Sequence, residues 1–215
     1  MQSNKNLILL DLDNTLFDSP SYRKSVFTKL GNVALCQKIY EKMLDEFGYF
    51  LPKMFVEILF SRLKRTKKKE IMDIIFDPKN FRDNLHKEVL TSLKMLIQLG
   101  EVGILSQGDR EFQDAKISHF KHLLSNSHIN IVKDKKSDMV DIFKNMEAYR
   151  IYFVDDMLSM LEAAKKINPS IVAIWMKRGR YAENQKEIPE FKPDAQVDNL
   201  SEVVEIIKKS LEISN

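Results

Sequence analysis

The chain has 215 residues, 44% of them hydrophobic and 30% charged, with a formal net charge of +3. That length holds one large domain or a core with an inserted subdomain, and the composition excludes a disordered chain. The slight positive charge, scattered among 31 acids, gives no electrostatic case for nucleic acid, and one cysteine, Cys36, excludes an intramolecular disulfide or a multi-cysteine metal site.

A polar start, Met1 to Asn6, leads into Leu7-Ile8-Leu9-Leu10. Four apolar residues are too few for a secretory signal or a membrane span, and with cysteine so rare the expected compartment is the reducing cytoplasm. A run of this kind reads as a short buried strand. It ends on Asp11-Leu12-Asp13-Asn14-Thr15. A buried strand does not end on two acids without something to balance them, because an unpaired buried charge is costly. Residues two apart on a strand point the same way, so both acids face one small volume. A divalent cation would balance them. The competing reading is an acidic turn with Thr15 capping a helix.

Asp18-Ser19-Pro20-Ser21 is a turn and helix start. From Tyr22 to Phe47 the pattern is helical, with Ile39, Met43 and Phe47 at steps of four and Gly48 as a stop. Pro52 opens a second helix, and Asp77-Pro78-Lys79-Asn80 is another break. Nothing from 18 to 80 alternates, which predicts an all-helical insertion. Eight of the thirteen phenylalanines lie at or before Phe81, so this insertion is expected to have a small core of its own. The basic run from Lys64 to Lys69 has no interleaved aromatic residues and reads as a solvated helix end.

Beyond residue 81 the rhythm is helix, strand, turn. Leu85 to Leu99 carries one apolar helical face and stops at Gly100, and strands follow at Val102–Leu105, Ile129–Val132, Ile151–Val154 and Ile171–Met176, with a weaker one at Ala195–Val197. Helices are expected around Phe112 to Leu124, from Ser137 to Met146, from Leu158 to Ile167, and from Leu200, where Asn199 and Glu202 have capping-box spacing. Crossover helices between short apolar strands imply a Rossmann-like α/β fold, a parallel sheet covered on both faces. In such sheets ligands gather at the carboxyl ends of the strands. The second strand ends on Ser106-Gln107-Gly108-Asp109, a turn able to hold phosphate oxygens, and the fourth on the acidic pair Asp155-Asp156. That pair could instead cap the next helix. Arg178-Gly179-Arg180 reads as a surface loop, and His86, His119, His122 and His128 lack metal-ligand spacing.

Asp11-x-Asp13-x-Thr15 after a buried strand resembles the first motif of the haloacid dehalogenase superfamily of phosphohydrolases. Ser106 resembles its second motif and Asp155-Asp156 its fourth, in the expected order. The resemblance implies a core of residues 1–17 and 82–215, with residues 18–81 as a helical cap that closes over the site. It implies that Asp11 is the nucleophile forming an aspartyl-phosphate, and that Asp13 is the general acid/base with its carbonyl on the metal. Mg²⁺ would be held by Asp11, Asp13 and Asp156, with Asp155 binding through water or supporting the others. Thr15, Ser106, Gln107 and Gly108 would help to hold phosphate. The third motif is a lysine, for which Lys133, Lys135 and Lys136 compete. Lys136, immediately before Ser137 at the expected helix start, matches the pattern best; the other two stay open.

The function so implied is Mg²⁺-dependent hydrolysis of a small phosphorylated metabolite, by a monomer or homodimer without nucleic-acid or membrane partners. The superfamily also contains phosphomutases, which share every motif, and dehalogenases, which need neither the second aspartate nor a metal. A non-catalytic phosphate-binding regulatory module is the alternative from outside enzymology.

Overall fold

The protein was analysed as a computed structural model, which describes residues 5–63 and 67–212. In chain order its elements are β1 (Lys5–Leu10), α1 (Ser19–Lys29), α2 (Val33–Phe47), α3 (Pro52–Arg62), α4 (Lys68–Ile75), α5 (Pro78–Asp83), α6 (Val89–Leu96), β2 (Glu101–Gln107), α7 (Arg110–Ile117), β3 (Ile129–Val132), α8 (Lys135–Lys144), β4 (Tyr149–Asp155), α9 (Leu158–Ile167), β5 (Val172–Met176), α10 (Gly179–Asn184), β6 (Ala195–Val197) and α11 (Leu200–Glu212). The strands form one parallel sheet in the order β3-β2-β1-β4-β5-β6. All six expected strands are present, and the α/β class follows.

β1 lies inside the sheet because its apolar run has two faces to bury. Leu7 pairs with Glu101 on one side and Ile151 on the other. Ile8 and Leu10 join a core with α6, α7 and α11, while Leu7 and Leu9 join another with α8 and α9. Both faces are therefore covered, as a sheet of parallel strands requires. Among the described residues no helix is long and apolar enough to cross a membrane.

The connection from β1 to β2 carries α1 to α6, and between Ser19 and Asp83 the described residues form helices and no strand. The single long helix read from Tyr22 to Phe47 is instead two. Gly31 takes φ +78°, and Asn32 restarts the helix by accepting a hydrogen bond from the Leu35 amide at 3.1 Å. α2 stops at Gly48, also at φ +78°. The two connections to the helical layer meet where Phe17 bridges to Leu85 and the Asp18 amide bonds to the Asn84 carbonyl at 2.8 Å.

A separate core for the insertion does not form. Tyr22 stacks on Phe81 at 5.5 Å, Phe81 meets Phe112 at 5.7 Å, and Phe112 meets Phe50 at 5.3 Å. Phe112 belongs to α7, so the aromatic residues of the insertion are continuous with one face of the sheet. Cys36 is packed into the same cluster, as its place in a helical pattern predicts. Of the basic run, Lys64, Arg65 and Thr66 lie outside the described residues. Lys67 to Lys69 are exposed at the start of α4, where Lys68 pairs with Glu57 at 2.6 Å.

Candidate active site

Chain order reverses on either side of the β1–β4 pair, and there the carboxyl ends of adjacent strands leave an open crevice. The Asp11 amide continues the ladder to the Val154 carbonyl at 2.9 Å, so its side chain is held at the lip of the sheet. The next residues close a tight loop, in which the amides of Leu16 and Phe17 both donate to the Leu12 carbonyl at 3.0 and 2.9 Å. Asn14 adopts φ +63° in this loop, and its side-chain amide donates to Asp156 Oδ2 at 3.1 Å. Gly179 leaves it room, since a Cβ there would fall 2.7 Å from Asn14 Cγ.

Asp11, Asp155 and Asp156, all buried, come together with one carboxylate oxygen from each within 4.8 Å of the others. Lys135 Nζ bridges two of them, at 2.6 Å from Asp11 Oδ1 and 2.6 Å from Asp155 Oδ2. Asp155 also accepts the Met157 amide at 2.8 Å, whereas Asp156 has the Asn14 side chain. The acidic pair does not cap the following helix, whose Leu158 amide bonds to Gln185 Oε1 at 2.6 Å. Burial pushes the Asp11 carboxyl up to about 7, with Lys135 opposing it and Asp155 adding to it. Burial, together with repulsion from Asp11 and Asp155, pushes Asp156 up to about 9. Lys135 is held above the ordinary lysine range: burial works against its charge, and the two aspartates outweigh it. With all groups ionised, three carboxylates and one ammonium leave two negative charges in excess. Such a set of hard oxygen donors fits a divalent cation.

Asp13 stands apart from this cluster. Lys116 Nζ lies 2.6 and 2.9 Å from its two oxygens, Gln113 Nε2 donates to Oδ2 at 2.9 Å, and the Ser19 hydroxyl donates to Oδ1. Burial acts to raise its pKa, but Lys116 and these hydrogen bonds together hold the carboxyl below the usual range. Gln113 also reaches Ser106 Oγ at 3.2 Å and the Gln107 carbonyl at 2.9 Å, so one side chain ties the ends of β1 and β2 together.

Of the three lysines, the structure brings Lys135 to the acids and not Lys136. Lys136 is exposed, and so is Lys133, while Lys135 is buried among the acids. The reason is a helix boundary. Ser137 does not open α8; Asp134 caps it, its carboxylate accepting from the amides of Lys136 and Ser137 at 3.1 Å each. Lys135 is therefore the first helical residue, and its amide is held by Gln107 Oε1 at 3.1 Å.

Ser106, Gln107 and Gly108 line the crevice. Thr15 does not. It is fully buried away from the cavity, its hydroxyl finds no partner among the described residues, and Asp18 rather than Thr15 caps α1. Lys116, Gln113, Ser19 and Asn14 were missed at the sequence level. The available signal was two polar residues, Gln113 and Lys116, three apart in a helix whose inward face they share with Phe112. Arg178 donates to the Thr15 carbonyl at 3.3 Å and pairs with Glu88, so it braces the loop rather than the crevice; the Arg180 side chain lies outside the described residues. His128 is buried edge-on to Tyr149 at 5.1 Å.

Above the acids is a cavity of about 270 Å³ whose opposite wall comes from α1, α2 and the loop after α2. Gly48 in that loop is so close to the sheet that a Cβ there would be 3.2 Å from Gln107 Nε2.

No family model and no curated protein matches the chain. Solved structures do. A haloacid dehalogenase-like hydrolase from Burkholderia xenovorans aligns with a TM-score of 0.76 at 24% identity, covering 94% of this chain and 98% of that one. A magnesium-bound hydrolase of the same superfamily from Bacillus subtilis aligns with a TM-score of 0.60 at 14% identity, covering 95% and 99%. The L-2-haloacid dehalogenase of Xanthobacter autotrophicus gives 0.60 at 14%, covering 95% and 98%. The fold is that of the haloacid dehalogenase superfamily.

Proposed function

We propose that the chain is a hydrolase of the haloacid dehalogenase superfamily, a magnesium-dependent phosphomonoesterase acting on a small phosphorylated molecule. One observation carries the reading: Asp11, Asp155 and Asp156 converge within 4.8 Å with Lys135 bridging Asp11 and Asp155. Asp11 and Asp156, with the carbonyl of Asp13, would hold Mg²⁺, and Asp155 would steady Lys135 beside them. The ion would supply charge neutralisation for the phosphoryl group.

Asp11 attacks phosphorus in line and breaks the bond to the leaving oxygen, which takes a proton from Asp13. Water then attacks phosphorus, giving one of its own protons to Asp13, and the bond to Asp11 breaks to free the carboxylate and inorganic phosphate. Lys116 and Gln113 favour the ionised form of Asp13, which suits the second half of the cycle. Lys135 and Ser106 face the phosphoryl oxygens. A dehalogenase reading explains Asp11 and leaves Asp13 and the raised Asp156 without work.

The test is hydrolysis of an aryl phosphate and a panel of phosphorylated metabolites, with Mg²⁺ and with chelator. Turnover only with Mg²⁺ is expected. Turnover of 2-chloropropionate, with no phosphoester hydrolysed, would overturn the reading. Product analysis separates a mutase, which would return an isomeric phosphate ester rather than inorganic phosphate.

A second expectation concerns stability. Asp11 and Asp156 have folded-state values of about 7 and about 9 against 3.8 for the free side chain. Between those limits the folded metal-free protein binds more protons than the unfolded chain, so its stability falls as pH rises. In chelator, Tm should decrease steadily from pH 5 to pH 9. Mg²⁺ needs the deprotonated carboxylates, so the Tm gained on adding it should grow over the same interval. A flat Tm in chelator would show that these carboxyls are not raised in the folded protein, and a Mg²⁺ gain that shrinks with pH would show that the cluster is not the binding site.

A further inference from the structure

The cavity wall facing the acids is chemically unlike them. It is built by Arg23, Phe27, Tyr40, Leu44, Tyr49 and Phe50. No carboxylate or amide side chain comes from that side, and every acid on the cavity belongs to the sheet side. Tyr22 also lines the cavity, but its hydroxyl is already bonded to the Ile75 carbonyl at 2.7 Å. A polyol or sugar would find few partners for its hydroxyls on such a wall. A flat ring finds many.

Phe50 lies 5.6 Å from Tyr40 and 5.3 Å from Phe112, so its position is fixed from both sides. Tyr49, delivered into the cavity by the turn at Gly48, has no ring contact or hydrogen bond from its side chain among the described residues. Arg23 lies with Cζ 4.6 Å over the Tyr40 ring and has no carboxylate within ion-pair distance among the described residues. The two lysines on the cavity are already matched, Lys116 by Asp13 and Lys135 by Asp11 and Asp155. A cation stacked on an aromatic ring and lacking an acid is a ready partner for an anionic substituent. The volume, about 270 Å³, suits a phosphate and one ring.

We propose that the substrate is a phosphomonoester whose alcohol carries a flat ring bearing an anionic group. The ring lies against Tyr49 and Phe50, and its anionic group meets Arg23. The inference rests on the phosphomonoesterase reading, and the experiment separates the two. With Mg²⁺ present, benzyl phosphate and cyclohexylmethyl phosphate are compared, because both release a primary alcohol from a six-membered ring that is flat and aromatic in one and puckered and saturated in the other. A preference of about tenfold in kcat/KM for the benzyl ester is expected from ring stacking. 4-Carboxybenzyl phosphate should be better again by about tenfold, and Arg23→Gln should abolish that second preference. Tyr49→Ala should reduce the first. Equal rates for the benzyl and cyclohexylmethyl esters would overturn the ring site while leaving the phosphatase standing. A carboxylate preference that survives Arg23→Gln would overturn the role given to Arg23.

Binding of the non-hydrolysable benzylphosphonate and cyclohexylmethylphosphonate covers the remaining case. Selective binding of the first without turnover of any ester would overturn the phosphatase and keep the ring site; equal binding without turnover would overturn both.

Discussion

Asp11→Asn should lower kcat for phosphate-ester hydrolysis by about 10⁴-fold or more, the scale on which loss of a nucleophile is felt. The amide keeps the shape of the side chain and can still accept from Lys135, so the crevice should survive. What it removes is one negative charge and, on the proposed mechanism, the attacking oxygen. That charge is unfavourable in the metal-free protein, since burial and Asp155 already push Asp11 up to about 7. Measured in chelator at pH 8, Tm of the variant should therefore be equal to or above that of the wild type. The combination matters. Lost turnover with retained or increased Tm assigns a chemical role to Asp11, whereas turnover at the wild-type rate would remove it from the mechanism. Lost turnover with a collapsed Tm would contradict the electrostatic account of the cluster.

The parts of the site visible in the sequence were those whose chemistry is local. Leu7 to Leu10 announce a strand because four apolar residues with two faces to bury fit only inside a covered sheet. Asp11 and Asp13, or Asp155 and Asp156, are conspicuous because acids end apolar runs. The parts that escaped depend on where distant segments meet. Lys116 and Gln113 are ordinary polar residues of α7 until the fold brings them, 103 and 100 positions along the chain, to Asp13. The break at Gly31 was hidden by a periodic pattern that resumes almost in phase beyond Asn32. The merging of the insertion's aromatics with the sheet core likewise turns on Phe112, which lies far from them in sequence.

The lysine that meets the acids is Lys135 and not Lys136, for a smaller reason with a larger consequence. Ser137 and Asp134 are both good capping residues, and the sequence offers no rule for preferring one. The three-residue difference decides which lysine turns inward. With Asp134 as the cap, Lys135 starts the helix and its ammonium reaches Asp11 and Asp155 at 2.6 Å each, while Lys136 faces solvent.

Lys135→Met should then reduce kcat/KM by about 10²- to 10³-fold, the usual effect of removing one preorganised group from a charge-stabilising site. Lys136→Met should change it by less than about threefold, as for an exposed substitution. The first variant also uncovers two buried carboxylates, and breaking a buried pair costs about 3–5 kcal/mol. That loss should depend on pH. At pH 5, below the value of about 7 for wild-type Asp11, part of the negative charge is already neutralised and the Tm deficit should be small. At pH 8 in chelator it should be largest, and Mg²⁺ should recover part of it by replacing the missing positive charge. Measuring the activity of both variants beside Tm at the two pH values distinguishes the assignments. If Lys136→Met were the damaging change, or if the Lys135→Met deficit were the same at pH 5 and pH 8, the bridge between Asp11 and Asp155 would not be what holds these acids together.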